Sequence, residues 1–231
     1  MWVLAIDTSA GSASVALLQG GEIFAEMFLH TGKNHSLILL PVVEKICHIS
    51  GVDIEDMDLF VCTVGPGSFT GIRIGLSTVK GFGIATGKPV IGVSTLDSLA
   101  LNLAGSRVMV CPMLDAGKHH VYTALYRAGK HNMSERQGEE KVLELKSFLH
   151  SIEEDVIFLG EGAVKYEDII RSVLPEKAYF AAGIQNYVRA SMAGFLGELK
   201  LRAGEGGDLV SLMPRYLRRS EAEQLRINMR S

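Results

Sequence analysis

Val64-Gly65-Pro66-Gly67-Ser68-Phe69-Thr70-Gly71-Ile72-Arg73-Ile74-Gly75 is the stretch on which the rest of this chain turns. An apolar run with strand character, Leu59 to Val64, leads into it, and a helical pattern leaves it and continues to about Thr86. A strand, a glycine turn and a helix N-terminus point bare N–H groups at one spot, as in a phosphate or anion cradle. The spacing fits neither common nucleotide fingerprint. A Walker A loop needs Lys and then Ser or Thr after its last glycine, where this chain has Ile72 and Arg73. The dinucleotide pattern separates its second and third glycines by two residues, and here Ser68, Phe69 and Thr70 intervene.

The same glycines have a steric reading. Gly67, Gly71 and Gly75 recur at intervals of four, as do Ser77, Gly81 and Ala85, so the helix carries two nearly bare stripes. Each helical glycine costs about 1 kcal/mol relative to alanine, which calls for a compensating close contact. Each stripe packs either on the helix's own sheet or against another chain.

Working outward, Trp2 to Ile6 is a strand ending at Asp7, followed by a small turn from Thr8 to Ser12 and strands over Ala13 to Leu18 and Glu22 to Leu29. About a hundred residues later Val108 to Leu114 ends at Asp115, Ala116-Gly117-Lys118 turns, and Val121 to Tyr126 returns. Helices are expected at Asn34 to Ile49, Leu96 to Leu103, Leu145 to His150, Val164 to Val173 and Asn186 to Arg202, with strands at Pro89 to Val93 and Val156 to Gly160. Gly204 to Asp208 is a joint and Met213 to Arg219 a tail. Meanders followed by alternating strands and helices specify a mixed α/β protein with helices flanking each sheet.

At 231 residues the chain can bury a full core in one large domain or two lobes. A net charge of -3 argues against a dedicated nucleic-acid binder. No signal peptide or membrane-length apolar run is visible. Cys47, Cys62 and Cys111 are widely spaced among apolar neighbours, as free core thiols in a reducing cytoplasm would be.

The Asn34 to Ile49 helix is apolar over an arc of roughly 200°, against about 100° for a helix packed on one sheet. It therefore either buries a second side against another chain or is enclosed by its own domain. Pro41 lies inside it and should bend it.

Leu4 to Ser9, the Gly65 to Gly75 motif, Ile91 to Leu96, Asp115 to Tyr126 and Pro214 to Arg218 together resemble the TsaB (YeaZ) family, in order and over nearly the whole chain. The resemblance implies the duplicated ribonuclease-H-like fold of the actin-like ATPases (ASKHA). It would have an N-terminal lobe over 1–104 carrying the partner-binding helices, and a C-terminal lobe with tail over 105–231. It implies a non-catalytic dimerisation subunit that stabilises TsaD, which works with the ATPase TsaE to place threonylcarbamoyl on N6 of the adenosine 3′ of the anticodon. The isolated chain would form a homodimer, tRNA would be met only through the complex, and ATP or ADP could sit at the complex interface. The partner contact would use the Asn34 helix and the glycine-led helix, through His35, Leu39, Val43, Gly71, Arg73, Gly75, Thr78 and Lys80. Gly75→Arg is then the expected interface block.

TsaD proteins follow the shared region with a His-x-x-x-His metal motif. Here Thr95 and Leu99 occupy those places, and neither replaces an imidazole. Asp7, Thr8, Ser9, Gly65 and Gly67 are the weak candidates for a nucleotide site, while Asp7 and Asp115 read first as turn caps, since the rest of an actin-like nucleotide site is missing. Arg215, Arg218, Arg219, Arg226 and Arg230 form a basic tail interleaved with Glu221 and Glu223. Two other readings stand beside the assembly subunit: a small ATP-hydrolysing enzyme of actin-like fold, and a metalloprotease, which the missing histidine pair opposes.

Overall fold

The computed structural model describes residues 1–32, 34–130, 133–207, 209 and 211–218. They form two five-stranded sheets of one topology. In the first, β1 (Trp2–Asp7), β2 (Ala13–Gln19) and β3 (Glu22–Leu29) make an antiparallel meander, and β4 (Leu59–Thr63) and β5 (Val90–Val93) add in parallel on the other side of β1. In the second, β6 (Met109–Asp115), β7 (His120–Ala128) and β8 (Ser134–Glu144) repeat the meander, and β9 (Val156–Leu159) and β10 (Ala178–Phe180) repeat the parallel pair. The orders β3-β2-β1-β4-β5 and β8-β7-β6-β9-β10 coincide strand for strand. The loose repeat in the sequence is a true duplication of architecture.

The helices α1 (His35–Ser50) and α2 (Phe69–Thr86) lie side by side on one face of the first sheet. Leu39, Val43 and Ile46 of α1 and Leu76 and Val79 of α2 close over Leu4, Ile6, Val15 and Leu17. Asn34 caps α1 by accepting from Ser36 N at 3.2 Å, and Gly51 ends it at φ 64°, where a side chain would be strained. The helix runs through Pro41 without a break.

The helix after each sheet packs on the opposite sheet. α3 (Thr95–Ala100), extended by a 3₁₀ turn at Leu101–Leu103, sends Leu96 and Leu99 against Val110, Leu114, Ala124 and Tyr126 of the second sheet. The C-terminal α7 (Ala190–Arg202) crosses back, and Ala190 and Ala193 bury against Val3, Ala5, Leu59 and Val61 of the first. β1 and β4 are thus covered on both faces, which explains their unbroken apolar runs. On the second sheet, α4 (Leu145–His150), α5 (Glu161–Lys165) and α6 (Glu167–Val173) cover the face lined by Met109, Cys111 and Met113.

Several expected boundaries move. The single helix over Val164 to Val173 is two short ones joined at Tyr166, and the last helix begins at Ala190 rather than Asn186. β8 and β10 carry no hydrophobic alternation; β8 is a polar strand paired only with β7, and β10 has three residues. No helix among the described residues is long and apolar enough to cross a membrane. Cys47, Cys62 and Cys111 are buried and free, and burial pushes the Cys62 and Cys111 thiols up to about 12.

Candidate partner interface and inter-lobe cleft

The glycine turn is fastened to the end of β1. Ser68 N donates to Ser9 O at 2.7 Å, Thr8 Oγ1 donates to Gly71 O at 2.7 Å, and the Ser68 hydroxyl caps α2 by accepting from Gly71 N. A β-carbon at Gly67 would run into Ser9 O, and one at Gly71 into Thr8 O. At Gly75 it would stand 2.7 Å from Thr8 Oγ1. The stripe Gly67-Gly71-Gly75 therefore exists so that α2 can lie on its own sheet. The N–H groups of Ser68, Gly71 and Ile72 already have protein acceptors. Asp7, Thr8, Ser9 and Gly67 do come together, as a bonded joint between β1 and the turn, whereas Gly65 is engaged elsewhere: its carbonyl accepts from Thr95 N and a β-carbon there would run into Arg215 O.

Asp7 is fully buried within that joint. Its Oδ1 accepts from Ser9 Oγ at 2.5 Å, Thr63 Oγ1 at 2.6 Å and Ser9 N at 3.3 Å, while Oδ2 has no partner among the described residues. Burial raises its pKa, and the hydroxyl hydrogen bonds offset this only in part. Asp115 ends the equivalent strand of the second sheet. Burial pushes it up as well, but hydrogen bonds from Lys165, Tyr166 and Gly117 N outweigh that and hold its carboxyl below the ordinary value. Both aspartates bond the backbone two residues on, as turn caps do.

Between the lobes lies a cavity of about 580 Å³, lined by His35, Ser68, Phe69, Asp115, Glu161, Arg215 and Arg218 among others. His35 Nε2 lies 2.9 Å from Ala10 O, an atom that can only accept, so this nitrogen carries the hydrogen. The segment from Met213 to Arg218 straps the cleft. Arg215 N donates to Val64 O at 2.7 Å, Arg215 Nη1 pairs with buried Glu140 of β8 at 3.0 Å, and Arg218 Nη1 donates to Ala116 O at 2.6 Å. Tyr216 stacks on Phe69 with centroids 4.3 Å apart and accepts from Arg73 Nε at 2.9 Å. Arg219, Glu221, Glu223, Arg226 and Arg230 of the expected tail, and Asp208 of the joint, lie outside the described residues.

The expected interface residues divide. Leu39 and Val43 are 1 % and 3 % exposed and belong to the core under α1, and Gly71 and Gly75 are buried against Thr8. All four are interior, so Gly75→Arg would wreck the β1 joint rather than block a contact. Arg73 is exposed, Thr78 and Lys80 are half-exposed, and His35 faces the cleft. The outward surface of the helix pair is made instead by Leu37, 73 % exposed, Leu40, 55 %, and Ile84, 74 %. The second bare stripe, Ser77-Gly81-Ala85, lies on this surface, and nothing stands within 4 Å of a β-carbon at Gly81. That stripe was the available signal in the sequence; the wide apolar arc of α1 could not say which of its leucines face out.

Thr95 and Leu99 are both fully buried, Leu99 in the cluster where α3 meets the second sheet. Among the described residues no group of three or more His, Cys, Asp and Glu side chains is placed to hold a metal ion.

Two lobes of one topology, an inter-lobe cleft and a glycine-led helix place the chain in the actin-like ATPase (ASKHA) fold class. ROK hexokinase from Thermus thermophilus shares that fold at 11 % identity and a TM-score of 0.51, over 87 % of this chain and 100 % of the other. YeaZ from Pseudomonas aeruginosa is far nearer, with a TM-score of 0.79 and 28 % identity over 94 % of this chain and 99 % of that one. Residues 29–225 match the family described as TsaD: tRNA N6-adenosine threonylcarbamoyltransferase. The tRNA threonylcarbamoyladenosine biosynthesis protein TsaB of Bacillus subtilis (strain 168) is 33 % identical over 226 residues, 96 % of each chain. The chain belongs to the TsaB family of tRNA threonylcarbamoyladenosine biosynthesis proteins.

Proposed function

We propose that this chain is the non-catalytic assembly subunit of the tRNA threonylcarbamoylation machinery. It docks on TsaD through the outward surface of α1 and α2, works with the ATPase TsaE in the assembled complex, and pairs with itself through the same surface when alone. It meets tRNA through the complex, and ATP or ADP belongs to the complex interface rather than to the glycine turn of this chain.

The exposed apolar surface of α1 and α2 carries this reading. Leu37, Leu40 and Ile84 stand out on adjacent helices beside the bare stripe at Gly81, and burying each such side chain is worth about 1.5–3 kcal/mol. A stripe of small residues lets a second helix approach closely. The commitment of the glycine turn to Thr8 and Ser9 supports the absence of chemistry here. A match to the TsaD family over most of the chain fits a subunit built on the same architecture as its enzyme.

Leu37→Glu and Gly81→Arg change this surface without entering the core. Both variants should lose co-purification with TsaD of the same organism and lose support of tRNA modification in a reconstituted assay, with circular dichroism unchanged. ATP hydrolysis by the isolated chain, with no TsaD binding, would overturn the reading in favour of a small actin-like ATPase.

A further inference from the structure

This inference rests on the assembly reading and specifies the chemistry of the docking partner. We propose that α2 and the C-terminal strap together form a receptor for two carboxylates on a partner helix, read by Arg73 and Lys80, with Phe69 and Tyr216 holding the Arg73 fork in place.

From Phe69 to Thr86 the helix has no Asp or Glu, and its only charges are Arg73 and Lys80. Seven residues apart, they fall on one face, in line with Ser77 and Ile84. Neither makes an ion pair among the described residues. By contrast, Arg127, Arg136, Arg171, Arg189, Arg202 and Arg215 each have a carboxylate within 3.2 Å.

Arg73 is exposed yet held. Its guanidinium carbon lies 3.9 Å from the centroid of Phe69, the ring of Tyr216 stacks on Phe69, and its Nε donates to the Tyr216 hydroxyl. That bond uses one donor of the guanidinium, and the terminal nitrogens have no partner among the described residues. A planar fork with its rotamer already fixed binds a carboxylate without ordering a free side chain on contact. Tyr216 is fixed in turn, because its neighbour Arg215 is bonded to Val64 O and Glu140 and Arg218 reaches Ala116 O.

The surroundings select the occupant. Ile84 adds an exposed apolar side chain to the face of α2 that carries the cations, Leu37 and Leu40 are exposed on the adjacent α1, and the chain carries a net charge of -3, so the surface suits a protein helix better than a phosphate backbone. At 1.5 Å rise per residue, the cations are separated by about 10 Å along the axis, which matches acids at i and i+7 on a helix packed beside α2.

The test is calorimetric titration of the intact chain with TsaD of the same organism, at about 0.05 and 0.5 M salt. Wild-type affinity should fall with salt. Arg73→Gln and Lys80→Gln should each weaken binding about tenfold and flatten that dependence. Arg73→Lys, which keeps the charge without the fork, and Tyr216→Phe, which keeps the ring without the acceptor, should each weaken it several-fold at unchanged melting temperature. Arg73→Glu should be rescued by reversing one exposed acid of TsaD. Wild-type affinity in both glutamine variants, while Leu37→Glu abolishes binding, would overturn the carboxylate receptor and leave the assembly reading intact. Failure of the wild-type chain to bind would overturn both. An intact complex that loses only tRNA in Arg73→Gln would assign the fork to phosphate and overturn the proposal.

Discussion

At Gly71 a β-carbon would run into Thr8 O, whereas at Gly81, on the same helix, it would meet nothing within 4 Å. The two positions look alike in the sequence, since both are small residues recurring at four-residue spacing. Their chemistry differs because Gly71 lies over the end of β1 and Gly81 faces outward. Alanine at position 71 must push α2 off Thr8 and break the hydrogen bond from Thr8 Oγ1 to Gly71 O, at about 2–3 kcal/mol. Gly81→Ala enters open space and removes backbone freedom from the unfolded chain, so it should stabilise by roughly 0.5–1 kcal/mol. Urea unfolding of the two variants reads both signs. A destabilised Gly81→Ala would mean that this helix face is already occupied within the chain.

At the scale of elements, the N-terminus of α7 shows how the halves are tied. Arg189 precedes the helix and makes no side-chain cap; the cap comes from β3. Glu26 accepts from Ser191 N at 3.2 Å, Ser191 Oγ at 2.9 Å and Arg189 Nη2 at 2.6 Å, placing a carboxylate where the helix dipole favours one. Burial pushes Glu26 up, but the bonds from Arg189 and Ser191 outweigh it and hold its pKa below 4.5. Folding therefore favours the ionised form. Its contribution is present above the unfolded value near 4.5 and is lost as pH falls through the depressed folded value. Glu26→Gln should cost about 1–2 kcal/mol at pH 7, allowing for the part-exposed Arg189, and the difference from wild type should shrink toward pH 3. An equal loss at both pH values in urea unfolding would show that packing, not charge, is what Glu26 supplies. None of this could be read from the sequence, where Glu26 is one acid in an edge strand and its partners are over 160 residues away. What could be read is local: the apolar runs of β1 and β4, the extent of α1 over Asn34 to Ile49, and the glycine-led start of α2. β8 was not legible because its residues are polar and its pairing comes entirely from β7. The two small-residue stripes were legible as motifs but not by face, since periodicity gives a stripe but not the direction in which it points.

At the scale of the whole molecule, the exchange of α3 and α7 between sheets makes each lobe depend on the other. The first sheet loses the cover of Val3, Ala5 and Val61 if α7 leaves, and the second loses the cover of Val110, Leu114 and Tyr126 if α3 leaves. Polar links reinforce the exchange. Glu140 of β8 accepts from Ser94 Oγ at the cap of α3 and pairs with Arg215 of the strap, and Tyr126 donates to Asp97 of α3 at 2.8 Å. A duplicated fold with independent lobes would unfold in two steps; lobes that share helices have no stable intermediate with one sheet intact. The chain supplies a convenient probe, because its single tryptophan, Trp2, lies in the first sheet with its ring edge-on to Phe24 at 4.9 Å. Trp2 fluorescence reports the first lobe, and far-ultraviolet circular dichroism reports both. The two urea midpoints should coincide in the wild-type chain. Ala193→Glu, which places a charge where α7 meets Val3 and Val61, should lower both midpoints together. A fluorescence transition that precedes the dichroism transition would show that the second lobe stands alone, and the exchanged helices would then be packing decoration on two separable units.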